Sequence, residues 1–494
     1  MTYRDASTCK FLHPLHIHTT IDSASDIDDR YIIWLSCLAA LALGVVLFQL
    51  ICQPLFFSPL SRIPGPTWFA LSPWCLAYHD WKGSRTSFIH KLHLRYGDAV
   101  RVGPNEVSFN NLAALRTIYG AGSGFERHSF YRMFDVYGKQ NLFTFGPSKQ
   151  HSDRKKILNH AYSKTSITKS AIANMVEDKT RQFLSLLERE PETASEIFTS
   201  LHYFAIDSIT SFLYGDMYGG TSALKGSSSD RVLLTDVIDP ARRKLSWYAV
   251  HFPKYTKWIY TRTGILERFV TSIGMLPMAK PSTYTGIRAH ALKAWHMFKA
   301  APLVEKQESA KTTIVGRLWQ HQQSEKGAEF DDLDIASECA DHLLAGIDTT
   351  SDTSMFLIWA LSLPENIKFQ EKLIAEIARL DETSMVEGGF PSVAASDKLP
   401  YLNAVIKETL RLYNPLPASE PRSLPVSSNI TGFMIPARTV VSMSPFSLHR
   451  NPDVFPEPLK FDPERWLRES NDLTEMKRWW WAFSSGGRMC IGLQ

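Results

Sequence analysis

The stretch Phe483-Ser-Ser-Gly486-Gly-Arg488-Met-Cys490-Ile-Gly492 constrains this chain more than any other segment. It sets one cysteine in a glycine-flanked turn, with an arginine two residues before it. Glycines let the backbone come close to a bound group, and the N–H groups of such a loop can point at the sulfur. That is how a protein presents a thiolate to a metal. A buried cysteine in a glycine turn is the other reading of the same residues. The six cysteines, Cys9, Cys37, Cys52, Cys75, Cys339 and Cys490, form no CxxC pair and no framework spacing, which excludes a disulfide scaffold.

A chain of 494 residues with 44% hydrophobic content can bury a large core. Its net charge of +4 is weak and scattered, so no nucleic acid is expected as a partner. Tyr31 to Cys52 carries no charge, and at 1.5 Å per residue its length spans about 33 Å, enough to cross a bilayer. Tyr31 and Trp34 stand where an aromatic belt forms. A cleaved signal peptide is disfavoured, because the only A-x-A (Ala40 to Ala42) lies inside the run and not after it. The expected plan is a polar, disordered tail over 1–30 and a transmembrane anchor over 31–52. A stiff proline-rich linker follows over 53–69 and a catalytic domain over 70–494. His13, His16 and His18 in the tail are weak metal candidates.

Beyond the linker, Val100 to Phe109 with Gly103-Pro104-Asn105 predicts a short hairpin. Helical periodicity dominates from about 150, as in 199–214, 333–363, 365–380 and 399–413. Gly219 to Asp230 is expected as a flexible surface loop, and strand signals return only after 420. The expected fold class is mainly α with small β-sheets, preceded by a transmembrane helix.

Three segments carry chemistry. Asp341 to Pro364 is apolar almost all round, so its helix should be buried. Gly346, Asp348, Thr349 and Thr350 interrupt it together. A threonine hydroxyl bonding back one turn is expected to open a local groove there, beside a carboxylate able to relay protons. Glu408 and Arg411, at i and i+3, share one helix face upstream of Phe461-Asp-Pro-Glu464-Arg465-Trp466. Finally, His151-Ser-Asp-Arg154-Lys155-Lys156 is a basic helical stretch, either a solvated face or an anion contact. The dense Trp479-Trp480-Trp481 is expected to pack, with Lys477 and Arg478 beside it able to meet an acidic partner.

Taken in order, these motifs resemble the cytochromes P450, from the anchor to residue 494, and their phrasing resembles the fungal microsomal type. The loop at 483–492 matches that family's signature at every fixed position. The resemblance implies haem b with Cys490 as axial iron ligand; this family is the standing example of thiolate ligation that favours O–O cleavage. It implies Asp348 and Thr349 as the proton-handling pair. It further implies Glu408, Arg411 and Arg465 as a buried network behind the haem, and His151, Lys155, Arg422 and Arg488 as propionate partners. Lysine at 155 keeps the charge but loses the bidentate fork. The implied reaction is insertion of one atom of O2 into a lipophilic small molecule, with electrons from NADPH through NADPH-cytochrome P450 reductase. The implied setting is the endoplasmic reticulum membrane, single-pass, with the catalytic domain cytosolic, and secondary metabolism as the pathway type. Substrate contacts are expected from 125–145, the start of 341–350, and Pro415 to Glu420. In such proteins the cysteine loop leads into a long helix and a hairpin, so the domain is expected to lack these after Gln494. A haem-free inactive fragment and a haem-thiolate isomerase or dehydratase are the alternatives.

Overall fold

The computed structural model describes the chain from residue 22 onward, apart from residues 169, 190–195, 239–240, most of 257–282, and 328, 470 and 494. His13, His16 and His18 lie outside the described residues. Two units separate at Ser58 and Pro59.

The N-terminal unit is one helical rod. An α-helix spans Asp22–Leu47 and passes into a π-helix over Phe48–Phe57. It starts nine residues before the uncharged run, inside the segment expected to be a disordered tail. Tyr31–Phe57 is long and apolar enough to cross a membrane, so the candidate anchor extends beyond Cys52. Pro54, expected to stiffen an extended linker, sits inside the π-helix. The wider turn, closed where Ser58 N–H donates to Gln53 O at 2.8 Å, accommodates a ring that would clash in a regular α-helix.

The second unit is mostly helical with small sheets. Half of the expected linker belongs to its core. Leu60 and Ile63 are buried, and Arg101 N–H donates to Pro64 O at 2.8 Å. A Cβ on Gly65 would lie 2.5 Å from Arg101 O, so only glycine lets this segment press onto the strand. The expected hairpin is present as Ala99–Gly103 paired with Glu106–Phe109. Val440–Ser442 adds in parallel to Glu106–Phe109, then Arg422–Ser423 and finally Glu126–Arg127, giving five strands. Strands also occur before residue 420. Met385–Val386 and Phe390–Pro391 pair through Gly388 and Gly389, both at positive φ, a two-glycine turn too short for periodicity to reveal.

The long helix Asp332–Ser362 opens with a reciprocal capping box between Asp331 and Asp334. It packs along Ile197–Tyr214, and the largest hydrophobic cluster forms between them. The helix is unbroken through Gly346–Thr350, contrary to the expected interruption. Gly346 faces the neighbouring helix: a Cβ there would lie 2.6 Å from Ile209 Cγ1, so the glycine serves close approach. The helix expected over 365–380 spans Ile367–Ile377, after a 3-10 turn over Pro364–Asn366. Residues 219–230 are no flexible surface loop. Thr221, Ala223 and Leu224 are buried, and Ser228 starts a helix. The buried Asp207 carboxylate holds the segment, accepting from Ala223 N–H at 2.9 Å, Leu224 N–H at 2.9 Å and Thr221 Oγ1 at 2.6 Å.

Gly346→Val is expected to lower stability by about 1–3 kcal/mol through overpacking against Ile209. Pairing it with Ile209→Ala should recover part of that loss in thermal unfolding followed by circular dichroism. Equal melting of all three chains would show that the two helices do not need the glycine.

Candidate active site: a cysteine loop facing a cluster of cations

Behind the cysteine loop lies a fully buried carboxylate. Pro400–Leu412 carries Glu408 and Arg411 on one face, both completely buried. Arg411 donates to Glu408 from Nε at 2.9 Å and from Nη2 at 2.8 Å, a two-pronged pair. Arg465 Nε donates to the same carboxylate at 3.1 Å, so the three residues share one hydrogen-bonded network. Two further donors come from the 461–466 segment: Asp462 N–H at 2.9 Å and Trp466 Nε1 at 3.0 Å. The arginines' remaining N–H groups reach the carbonyls of His449, Pro458 and Pro456 at 2.7–2.9 Å. A buried charge this fully partnered ties the helix to the chain that leads to the cysteine.

Cys490 N–H donates to Phe483 O at 2.9 Å, which closes the loop. Ser484 and Gly486 hold positive φ, and a Cβ on Gly486 would lie 2.4 Å from Tyr119 O. Cys490 is exposed. Protein packed about its sulfur nonetheless lifts the thiol. Gly492 N–H, Lys155 and Arg127 pull it down, and Glu420 adds to the lift.

Around it, cations converge from four directions. Arg488 donates to Phe145 O at 2.7 Å and Gly146 O at 2.5 Å. Lys155 Nζ donates to Gly487 O at 3.2 Å and Met489 O at 2.8 Å, so it braces the cysteine loop itself. Its neighbour Arg154 is turned away to pair with Glu338 of the long helix. Arg422 donates to Tyr131 Oη at 3.0 Å and to Glu420 at 3.0 Å. His151 is buried among them. Burial, then Arg127, Arg488, Lys155 and Arg422, push its imidazole down to about 3. Burial, then Arg127 and Arg422, lower Arg488 to about 9; burial, then Arg422, lower Arg127 to about 10.

Arg127 had no signal in the sequence. It stands directly across from Arg422 on the paired strands, a like-charge pairing that costs stability unless an anion intervenes. Its Nη1 donates to Leu142 O and Phe143 O, while its buried Nε has no hydrogen-bond partner. Nearly 300 residues separate Arg127 and Arg422, so only sheet registry reveals the pair.

The long helix supplies the remaining candidates. Thr349 Oγ1 donates to Ala345 O at 2.7 Å, the back-bond expected of it, and Asp348 is half-buried beside it. Asp341, two turns earlier on the same side, was not singled out in sequence. Burial, with the Glu338 charge adding to it, pushes its carboxyl up to about 7, opposed by His342 and Arg127. The described contacts do not join Thr349 to the cationic group. The tryptophans pack as expected, with Trp479 and Trp481 buried in the core and Lys477 and Arg478 exposed.

The model of the cytochrome P450 family matches residues 63–494, and the chain belongs to that family. It is similar to the cytochrome P450 monooxygenase orf2 of Aspergillus niger, at 28% identity over 92% of this chain and 86% of that one. The cytochrome P450 monooxygenase aflV of Aspergillus parasiticus is 29% identical over 90% of this chain and 83% of its own length. The tryptophan 6-hydroxylase fscE of Fusarium equiseti is 27% identical over 90% and 84%. The protein is thus an oxidoreductase of the cytochrome P450 monooxygenase type, a family built on haem.

The donor set fits that group. A thiol stands in a tight loop, and near it lies a group of cations, one with an orphaned buried N–H, of the charge that a ligand bearing two carboxylates would match.

Glu408→Gln leaves Arg411 and Arg465 without their anion and is expected to cost about 3–5 kcal/mol. Urea unfolding of the two chains measures this. A midpoint unchanged from the parent chain would remove the network from its structural role.

Proposed function

We propose that this chain is a membrane-anchored haem-thiolate monooxygenase that oxidises a lipophilic small molecule in secondary metabolism. Its electrons come from NADPH through NADPH-cytochrome P450 reductase. The anchor is Tyr31–Phe57, in the endoplasmic reticulum membrane, with the catalytic domain cytosolic. The carrying observation is the pairing of Cys490, in its closed loop, with a cluster of like charges that lacks a sufficient anion.

Cys490 would hold the iron through its thiolate. Arg127, Arg422 and Arg488 would take the two propionates, with His151 donating a hydrogen bond and Lys155 bracing the carbonyls of the cysteine loop. Bound there, haem would supply O2 activation, which thiolate ligation favours. Thr349, anchored on Ala345 O, presents its oxygen as an acceptor for a water or a proton, and Asp348 relays protons to it from the half-buried side of the helix. Substrate contacts come from residues 125–145, the start of 341–350 and Pro415 to Glu420. The likeness to the tryptophan 6-hydroxylase of Fusarium equiseti supports an aromatic nitrogen compound as one substrate class to assay first.

The deciding experiment is the reduced, CO-bound absorption spectrum of the purified full chain. The strongly red-shifted Soret band of thiolate ligation is expected, and Cys490→Ser should abolish it. A thiol-type band, or no haem, would overturn the reading. NADPH-independent turnover of a peroxide would replace it with an isomerase. Arg127→Ala is expected to speed haem transfer to an apo-globin scavenger by roughly 10–100-fold, the worth of a charged hydrogen bond. An unchanged transfer rate would exclude Arg127 from the propionate site.

A further inference from the structure

His449 uses both ring nitrogens in a fully buried position. Trp481 N–H donates to its Nε2 at 2.8 Å. Because Nε2 accepts, the neutral ring carries its proton on Nδ1, which donates to Arg411 O at 3.2 Å. The main chain repeats the link, since Arg411 Nη1 donates to His449 O at 2.8 Å. Beyond Trp481, its indole Nε1 donates to Ser485 Oγ at 3.0 Å, and Ser485 Oγ donates to Tyr119 O at 3.3 Å. Five residues further on is Cys490.

We propose that His449 is a positioning residue: its neutral imidazole joins the Arg411 main chain to Trp481 N–H and so sets where the cysteine loop begins. A protonated ring would offer Trp481 a donor where an acceptor is needed. The charged groups facing the ring are Arg411 and Arg450, with Glu408 on the far side of Arg411. Phe455 and Trp481 pack against it without charge. Burial first, then the two arginines, hold the folded imidazole down to about 3 against an ordinary value of 6.5.

Opening of the loop releases the imidazole to its ordinary value. The closed state is therefore fully favoured above pH 6.5. Each unit of acid below that favours the open state about tenfold, until the folded ring itself takes a proton. Arg450, lowered to about 10 by burial and by Arg411, keeps its charge over this range.

Amide hydrogen exchange of the full chain between pH 7.5 and 4.5, corrected for intrinsic rates, tests this at the Trp481 amide. Its protection factor is expected to be level above pH 6.5 and to fall about tenfold per unit below it. The amides of Pro400–Leu412 should hold steady. His449→Gln, whose amide oxygen can accept from Trp481 without titrating, should keep protection and lose the pH dependence. His449→Phe should lose protection at every pH; if that chain fails to fold, the parent profile against His449→Gln decides. A flat parent profile, the same slope in His449→Gln, or parallel loss across Pro400–Leu412 would overturn the proposal. What the relay positions rests on the assignment of Cys490 as iron ligand. Absence of the thiolate-type CO band would remove that assignment and leave the exchange result standing.

Discussion

The Glu408 carboxylate is the point on which the cysteine side of this molecule hangs. It is wholly removed from water, yet it accepts five hydrogen bonds, three of them from guanidinium groups and two from the segment 462–466. An isolated charge in that place would not be tolerated; one held by two arginines and an indole is tolerated and is hard to rearrange. The arginines pass the constraint on, because their other N–H groups hold the carbonyls of residues 449, 456 and 458. The chain from 449 to 466 is therefore pinned to one helix, and the chain that follows it carries Cys490.

The opposite side of the site is governed by repulsion. Arg127 and Arg422 face each other across paired strands, with His151, Lys155 and Arg488 nearby. Glu420 offsets part of this charge and also bonds to Ser484 of the cysteine loop at 3.0 Å. A protein that keeps so many cations at close range holds electrostatic energy that a dianionic ligand relieves. That is a physical argument for the proposed haem site, separate from any motif.

Several features were legible in the chain because their signal is local. The hairpin at 99–109, the long buried helix, the i, i+3 placement of Glu408 and Arg411, and the tight loop at Cys490 all depend on neighbours in sequence. Where reading the residues failed, tertiary contacts had overridden local preference. Prolines and glycines suggested a stiff linker over 53–69, but Leu60 and Ile63 are core residues and Pro54 rides in a π-turn. The polar, glycine-rich 219–230 suggested a mobile loop, but one buried aspartate in another helix organises it. Gly346 suggested a weakened turn beside a local groove, but it marks where Ile209 presses close.

The sequence by itself determined the class of chemistry. One cysteine between glycines, an acid–alcohol pair in an apolar helix and a Glu-x-x-Arg face are spacings, and spacing survives without coordinates. Only the tertiary structure decided which groups share a space. It brought Arg127 opposite Arg422, turned Arg154 away to Glu338, set Lys155 under the loop carbonyls and placed His449 between Arg411 and Trp481. These are through-space electrostatic and hydrogen-bond relations between residues up to hundreds of positions apart. Sheet registry and helix packing create them, and no local pattern of side chains encodes them.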